Sequence, residues 1–444
     1  MRSDTDAATE LLFRRINSRR DDLVALTQDL IRIPTVNPPG DVYTDCAELI
    51  GRRLAARGFA VEYVRAEGAA GDSDRYPRTN VVARIEAPRP GACVHFNGHI
   101  DVVPAGQGWT VDPFGGVVKD GRVYGRGACD MKGGIAASII AAEALLEEGL
   151  LTAGALEISG TVDEESGGYG GVGHLAKLGY FSRPRVDHVI IPEPLNVDRV
   201  CIGHRGVWWA EIETRGRVAH GSMPFLGNCA VRHMGAVLHR IETELIPRLA
   251  AKRTDMPVVP EGARQSTINI NAIHGGQRED HDGLPSPMVP DRCRMVIDRR
   301  YLIEEDPEAV RGEIVAILED LRRSRPGFDY ELREVLAFLP TMTDTDAPVV
   351  RAVAAAIETV LGRPAQHVVS PGTYDQKHVV RIGQLKDCIA YGPGILDLAH
   401  QPDEWVGIDD MVRSAQVMAL ATLELLEERG ERGRRSASFG DSQF

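Results

Sequence analysis

The chain has 444 residues, with 51 Lys and Arg against 64 Asp and Glu, a formal net charge of −13. That balance, with no basic stripe, argues against nucleic acid, whose phosphates are bound through clustered basic side chains. Hydrophobic residues make up 43% and charged residues 26%, as in a soluble globular protein, and no apolar run approaches the roughly eighteen residues that a membrane span requires.

Such a length predicts two domains, or one large domain with an insertion. The opening "MRSDTDAATELLFRRINSRRDDL" is charged and helix-patterned, unlike a secretory signal with an apolar centre. The seven cysteines are scattered and odd in number. They have no disulfide-framework or CxxC spacing and are expected to be reduced core thiols of a cytoplasmic protein. Residues 8–58 read as two helices split by the turn "PTVNPPG". Short β-rich runs follow, "FAVEYV", "NVVARI" and "ACVHFNGHI", then a Gly/Pro/Asp loop over 103–129. Residues 131–149 form a helix apolar nearly all round, so it is expected to be buried. Strand "ALEISGTV", helix "VGHLAKLGYF" and strand "DHVIIPEP" continue the alternation. This βαβ rhythm predicts an α/β fold whose mostly parallel mixed sheet is covered by helices on both faces.

The character changes near residue 205. Strand "VWWAEIETRG", helix "NCAVRHMGAVLHRIETEL", strands "STININAIHGG" and "MVPDRCRMVIDRRYL", a second helix and strand "FDYELREV" follow in order. The second helix, "DPEAVRGEIVAILEDLRRS", has Asp306 as its expected N-cap and Pro307 in its first turn. The order β-α-β-β-α-β is that of a ferredoxin-like α+β unit. The expected domains are therefore 1–204 and 339–428 for one α/β domain, with 205–338 inserted. The last amphipathic helix is expected over 408–428, and the polar tail 429–444 is expected to be disordered.

Metal-type ligands recur at the C-terminal ends of predicted strands, where open α/β sheets bind ligands. "FNGHIDVVP" carries His99 and Asp101, two apart at a strand end. A histidine ligand usually gives its other ring proton to a carboxylate, and Asp101 suits that role. "GRGACDMKGG" places Asp130 just before the apolar helix, where its two oxygens can bridge two metals. "TVDEESGG" carries Asp163, Glu164 and Glu165, "PEP" carries Glu193, and "AHQPDEW" carries His400. Singly, each has a structural explanation: a satisfied histidine, an N-cap, a solvated acidic loop. Their joint occurrence at successive strand ends is what points to a site. Gly168, Gly170 and Gly173 form a G-x-G-x-x-G pattern, with Asp187 downstream. The acids before them would repel a pyrophosphate, so these glycines are read as turns rather than a dinucleotide site. Cys129 has no His/Asn partner pattern and is read as a packed thiol.

The segments "GHIDVVP", "GRGACDMKGG", "TVDEESGG", "PEP", "AHGSMP", "GPG" and "AHQPDEW" resemble those of one dinuclear metallohydrolase family. It includes acetylornithine deacetylase, succinyl-diaminopimelate desuccinylase, aminoacylase and carboxypeptidase G. The resemblance implies a zinc-exopeptidase-like catalytic domain with the inserted unit as lid and dimerisation domain. It gives His99, Asp130 and Glu193 to one divalent metal and Asp130, Glu165 and His400 to a second, with Glu164 as general base. Two divalent cations against three carboxylates and a bridging hydroxide make a neutral core, and ligands without thiolate suit zinc, or cobalt or manganese. The resemblance also implies a cis peptide after Asp130 and a homodimer in which His220 of the lid polarises the scissile carbonyl across subunits. Arg300, in "IDRR", matches an arginine that clamps a substrate carboxylate, with Arg299 as the alternative; Asn228, Gly372 and Thr373 complete the implied substrate contacts. Asp163 is left as structural.

One loop departs from the family pattern. In "SPGTYDQKHV", residues 370–379, Gly372, Thr373 and Asp375 fit loosely, whereas Tyr374, Gln376 and Lys377 do not. That puts ornithine or diaminopimelate specificity in question, and Trp208–Trp209 hints at a bulkier or aromatic small-molecule substrate. The expected activity is hydrolysis of the amide bond of an N-acyl amino acid by a metal-bridging hydroxide. The alternatives are a metallo-exopeptidase or dipeptidase, a hydrolytic deaminase or amidase acting on an aromatic amine or amide, and a non-catalytic metal-dependent binding protein.

Overall fold

A computed structural model describes residues 2–276 and 286–437. The chain divides into two compact units, one of Met1–Gly203, Met342–Val368 and Tyr374–Phe444, the other of His204–Thr341 with Val369–Thr373.

The first unit is built on the central strands of a nine-stranded sheet, which run in the spatial order Ala60–Arg65, Thr79–Glu86, Ala153–Thr161, Arg89–His99, His188–Ile191 and Cys388–Ala390. The last four are mutually parallel, and the first two join antiparallel. Arg89–His99 lies between two parallel neighbours and is buried from Ala92 onward; the polar residues His95 and Asn97 within it are each satisfied by Ser159. Helix Gly133–Glu147 is buried over most of its length. It packs against the C-terminal helix Ile408–Ala437 and the N-terminal helices. Each fully buried Ile or Leu on it contributes about 1.5–3 kcal/mol. Its single buried acid, Glu143, is met by Arg19, Arg53 and Arg57. Close approach needs glycine at Gly134, where a Cβ would lie 2.0 Å from the carbonyl oxygen of Pro192.

Helix Ile408–Ala437 extends past residue 428 into the stretch expected to be disordered. The Glu- and Arg-rich sequence there favours helix over coil. The remainder of that tail, 438–444, lies outside the described residues. All seven cysteines are free, and six of them are buried. Among the described residues no helix is long and apolar enough to cross a membrane.

The second unit is a four-stranded antiparallel sheet, in the order Thr267–Gly275, Arg292–Tyr301, Gly206–Arg215 and Asp329–Phe338. Helices Ala230–Arg240 and Pro307–Ser324 contribute Met234, Val237, Ile314 and Leu318 to a core with Ala210, Ile212, Met295 and Ile297. Asp306 caps the second helix by accepting from Ala309 N at 3.2 Å. Trp208 belongs to the same core and donates its indole N–H to Glu334, which accounts for it without a ligand. Val369–Thr373 joins this unit because the main chain of Val369 pairs with Pro257 and Val259, a pairing no local sequence pattern reveals.

Candidate active site

All five candidate metal ligands and the candidate base belong to the first unit. His99 ends its strand, Glu164 and Glu165 follow Ala153–Thr161, and Glu193 follows His188–Ile191. These three strands are parallel neighbours, so their C-terminal ends open on the same edge of the sheet. Asp130 stands ahead of helix Gly133–Glu147 and is followed by a cis Asp130–Met131 peptide. His400 comes from the loop beyond Cys388–Ala390.

Asp130 is the centre of the group. Its Oδ1 lies 3.0 Å from His99 Nε2, and its Oδ2 lies 3.5 Å from His400 Nε2. Glu193 Oε1 is 4.0 Å from His99 Nε2, and Glu165 Oε1 is 3.1 Å from His400 Nε2. One donor atom each from His99, Asp130 and Glu165 fall within 4.8 Å of one another. A single carboxylate thus faces two imidazoles with its two oxygens, and a further acid stands beside each ring.

The electrostatics match a cation-binding set. Burial and the charge of Asp130 push Glu193 well above the usual carboxylate range. Burial also pushes Glu165 up to about 7, with Asp130 adding and His400 opposing. Asp130 itself is held low: burial works against it, and the hydrogen bonds to His400 and His99 prevail. His400 is raised to about 10 by hydrogen bonds to Asp130 and Glu165. His99 is raised well above its ordinary value despite full burial, through Asp101 and Asp130. Its Nδ1 is 3.0 Å from the main-chain oxygen of Asp101 and 3.6 Å from the Asp101 carboxylate. With Nδ1 turned to oxygen, Nε2 is the nitrogen that faces Asp130. A divalent cation in place of its proton satisfies the same oxygens and relieves the repulsion among the acids. Two imidazoles, three carboxylates and no thiolate fit divalent metals of the zinc, cobalt and manganese kind.

A layer beneath these residues is less legible from sequence. The carboxylate of Asp101 accepts from Glu164 N and Glu165 N at 3.1 Å each and from Asn37 Nδ2 at 2.9 Å. Its work is on the acidic loop as much as on the histidine. Glu404 Oε1 accepts from Cys129 N at 2.9 Å and Asp130 N at 3.1 Å, while its other oxygen pairs with Arg126. Arg126 also donates to the carbonyl oxygen of His400 at 3.2 Å. Lys377 Nζ lies 2.8 Å from Glu164 Oε1. Of these, Glu404 and Arg126 lie within motifs already singled out, "PDEW" and "GRGACD", and Lys377 within the loop that departs from the family pattern; nothing local marks the partner that each one meets. Asp163, by contrast, is bound by Tyr43 OH and Arg78 Nε, each at 3.1 Å, a structural role.

The other candidates lie in the second unit. His220 is exposed, and its Nδ1 accepts from Ser222 N at 3.2 Å. The neutral ring therefore carries its proton on Nε2. Asn228 is engaged at both ends of its amide, by His233 at 2.7 Å and the carbonyl of Gly327 at 2.6 Å. Arg299 is fully buried between Glu305 and Glu313. Arg300 reaches solvent and forms a bidentate pair with Asp298 at 2.7 and 3.0 Å, so of the two arginines it is the one available to a ligand. Gly372 N bonds Ser370 Oγ, and Thr373 follows it in the same short segment.

Residues 95–424 match the family model described as peptidase family M20/M25/M40. The chain is 32% identical over 372 residues to an acetylornithine deacetylase of Myxococcus xanthus, covering 83% of this chain and 89% of that one. It is 30% identical over 399 residues to a succinyl-diaminopimelate desuccinylase of Rhodospirillum centenum, covering 88% and 94%. Among solved structures, human carnosine dipeptidase 1 superposes with a TM-score of 0.76 at 20% identity, over 94% of this chain and 99% of that one; at that identity the likeness concerns the fold.

Proposed function

The chain belongs to peptidase family M20/M25/M40, the metal-dependent hydrolases, and from that premise we propose that it removes the acyl group from an N-acyl amino acid. The observation that carries the reading is the placement of Asp130, whose two oxygens face His99 and His400 while Glu193 and Glu165 stand beside those rings. His99, Asp130 and Glu193 would hold one divalent metal, and Asp130, Glu165 and His400 the second, zinc first and cobalt or manganese next. Bound there, the metals supply Lewis acidity that polarises a carbonyl oxygen and acidifies water.

Glu164, next to the ligand Glu165, takes the proton from the attacking water and returns it to the amine nitrogen as the acyl carbon–nitrogen bond breaks. His220, with its proton on Nε2, donates to the carbonyl oxygen as negative charge develops there. In a homodimer formed through the second unit, it would come from the partner subunit. Arg300 exchanges its intramolecular pair with Asp298 for the substrate carboxylate, a bidentate match; Asn228, Gly372 and Thr373 would complete the substrate contacts. The reading makes this a cytoplasmic enzyme acting on small molecules.

The test is amine release from N-acetyl and N-succinyl amino acids, dipeptides and aromatic amides by zinc-, cobalt- or manganese-loaded protein. Turnover of acylated amino acids that is lost on metal removal supports the reading. Turnover of dipeptides alone would make it an exopeptidase, and of aromatic amides alone an amidase. Glu164→Gln is expected to abolish turnover while metal content stays unchanged; an active variant would remove Glu164 from the role of base.

A further inference from the structure

The loop that departs from the family pattern, "PGTYDQK", contains three unexpected side chains, Tyr374, Gln376 and Lys377. All three are buried, at 4%, 0% and 3% exposure. Tyr374 OH donates to Gln376 Oε1 at 2.8 Å. Gln376 Nε2 donates to Thr343 Oγ1 at 2.9 Å and to the carbonyl of Cys388 at 2.8 Å. These two residues fasten the start of helix Gln376–Arg381 to the sheet, and the next two side chains on that turn reach the acidic loop. Lys377 Nζ meets Glu164 Oε1 at 2.8 Å, and His378 Nε2 meets the carbonyl of Gly167 at 2.7 Å. Behind them, Asp375 accepts from Asn97 Nδ2 at 3.2 Å. One helical turn therefore grips both a side chain and the main chain of residues 164–167.

A glutamate has three rotatable side-chain bonds, and the terminal one is broad and soft. An exposed ion pair would do little to restrain it. A buried one, with its ammonium fixed by a docked helix, holds Oε1 in a single place and thereby sets the direction of Oε2. We propose that Lys377 is a positioning residue for the reaction: it anchors Oε1 of Glu164 so that Oε2 faces the reacting water and amide. The departure at 374–377 is then one device, in which Tyr374 and Gln376 fix the turn that delivers Lys377. The proposal rests on the reading of Glu164 as base.

The experiment compares Lys377→Met, Lys377→Arg, Glu164→Gln and the double variant Glu164→Gln/Lys377→Met in the full chain. It measures kcat, KM and metal bound per chain. A general base contributes roughly 10²–10⁴-fold, and misplacing a catalytic group costs on the order of 10²-fold, so Lys377→Met is expected to lower kcat roughly 10- to 100-fold. KM and metal content should stay at the wild-type values, the pattern of an interaction needed only in the transition state. Lys377→Arg, which keeps a cation, should recover part of kcat, and the double variant should be no slower than Glu164→Gln alone. Wild-type kcat in Lys377→Met, or losses that multiply in the double variant, would overturn the proposal. If Lys377→Met does not fold, Lys377→Arg decides: lowered kcat at unchanged KM and metal content supports positioning, whereas a raised KM or lost metal refutes it. An active Glu164→Gln removes the base itself; an inactive one beside a fully active Lys377→Met removes only the role of Lys377.

Discussion

The carboxylate of Asp101 accepts the main-chain N–H of Glu164 at 3.1 Å, and its second oxygen accepts that of Glu165 at the same distance. Two neighbouring acids that repel each other are thus held in place through their backbone by a third acid, which Asn37 and His99 also contact. Asp101→Asn replaces one accepting oxygen by an NH₂ group facing a donor. Residues that hold metal ligands in place typically contribute 10- to 100-fold to affinity or activity. The expected outcome is a loss of roughly 10- to 100-fold in metal affinity or kcat, measured by metal titration and by turnover of the loaded enzyme. Wild-type values for both would show that the acidic loop is held without Asp101.

Glu404 performs the corresponding task for Asp130 and His400. It binds the amides of Cys129 and Asp130, and through Arg126 it reaches the carbonyl of His400. Glu404→Ala leaves a nearly fully buried guanidinium without its carboxylate, a loss of about 3–5 kcal/mol for a broken buried pair. The variant should melt at lower temperature and bind less metal, read by calorimetry and metal analysis. Arg126 also donates to the carbonyl oxygens of Ala105 at 3.1 Å and Gln401 at 3.3 Å, and unchanged melting would mean that these and the carbonyl of His400 suffice for it.

These two predictions mark the limit of what the sequence discloses. Strand ends, the apolar helix and the ferredoxin-like order follow from periodicity over a few residues, and three candidate ligands, His99, Glu165 and Glu193, stand at or just past those strand ends. Glu404 acts on residues 129 and 130, and Lys377 acts on residue 164. Such pairings depend on how distant loops pack, and nothing in the local pattern of "PDEW" or "DQKH" encodes them. The same holds for Val369, whose pairing with residues 257–259 draws a short segment of the chain into the second unit. Helix Ile408–Ala437 runs past its expected end because the polar residues there, Glu and Arg among them, are good helix formers.

Glu157 gives a pH dependence away from the metal ligands. It is fully buried, contacts His95 and is paired with Arg185 at 2.8 Å and Arg84 at 3.4 Å. Burial raises its pKa, but His95 and Arg185 prevail and hold it below the ordinary value of 4.5. A carboxyl depressed in the folded state contributes stability that is present above the unfolded value and lost as pH falls through the folded one. Wild-type protein should therefore lose stability below about pH 4.5, and Glu157→Gln should be less stable than wild type at neutral pH with a gap that narrows in acid. Denaturant titrations across that range test it. A gap that does not narrow in acid would remove Glu157 as the titrating group.

Two glycines in helices should respond to alanine with opposite signs. In an exposed helix interior, alanine is better than glycine by about 0.8–1.0 kcal/mol. Gly312, in helix Pro307–Ser324, has no atom within 4 Å of an added Cβ and no unusual backbone angle, so Gly312→Ala should raise stability by about that amount. At Gly134 the same methyl would lie 2.0 Å from the carbonyl oxygen of Pro192 and 3.0 Å from its Cβ. Neither is the end of a flexible side chain, so helix Gly133–Glu147 or the strand end must shift. Overpacking of this kind typically costs about 1–3 kcal/mol, more than the helix propensity returns. Pro192 immediately precedes Glu193, and so the shift reaches a candidate ligand directly. Gly134→Ala should thus lower both the melting temperature and the metal bound per chain, whereas Gly312→Ala should raise the first and leave the second unchanged. Equal responses from the two variants would mean that the close packing of helix on strand end does not hold Glu193 in place.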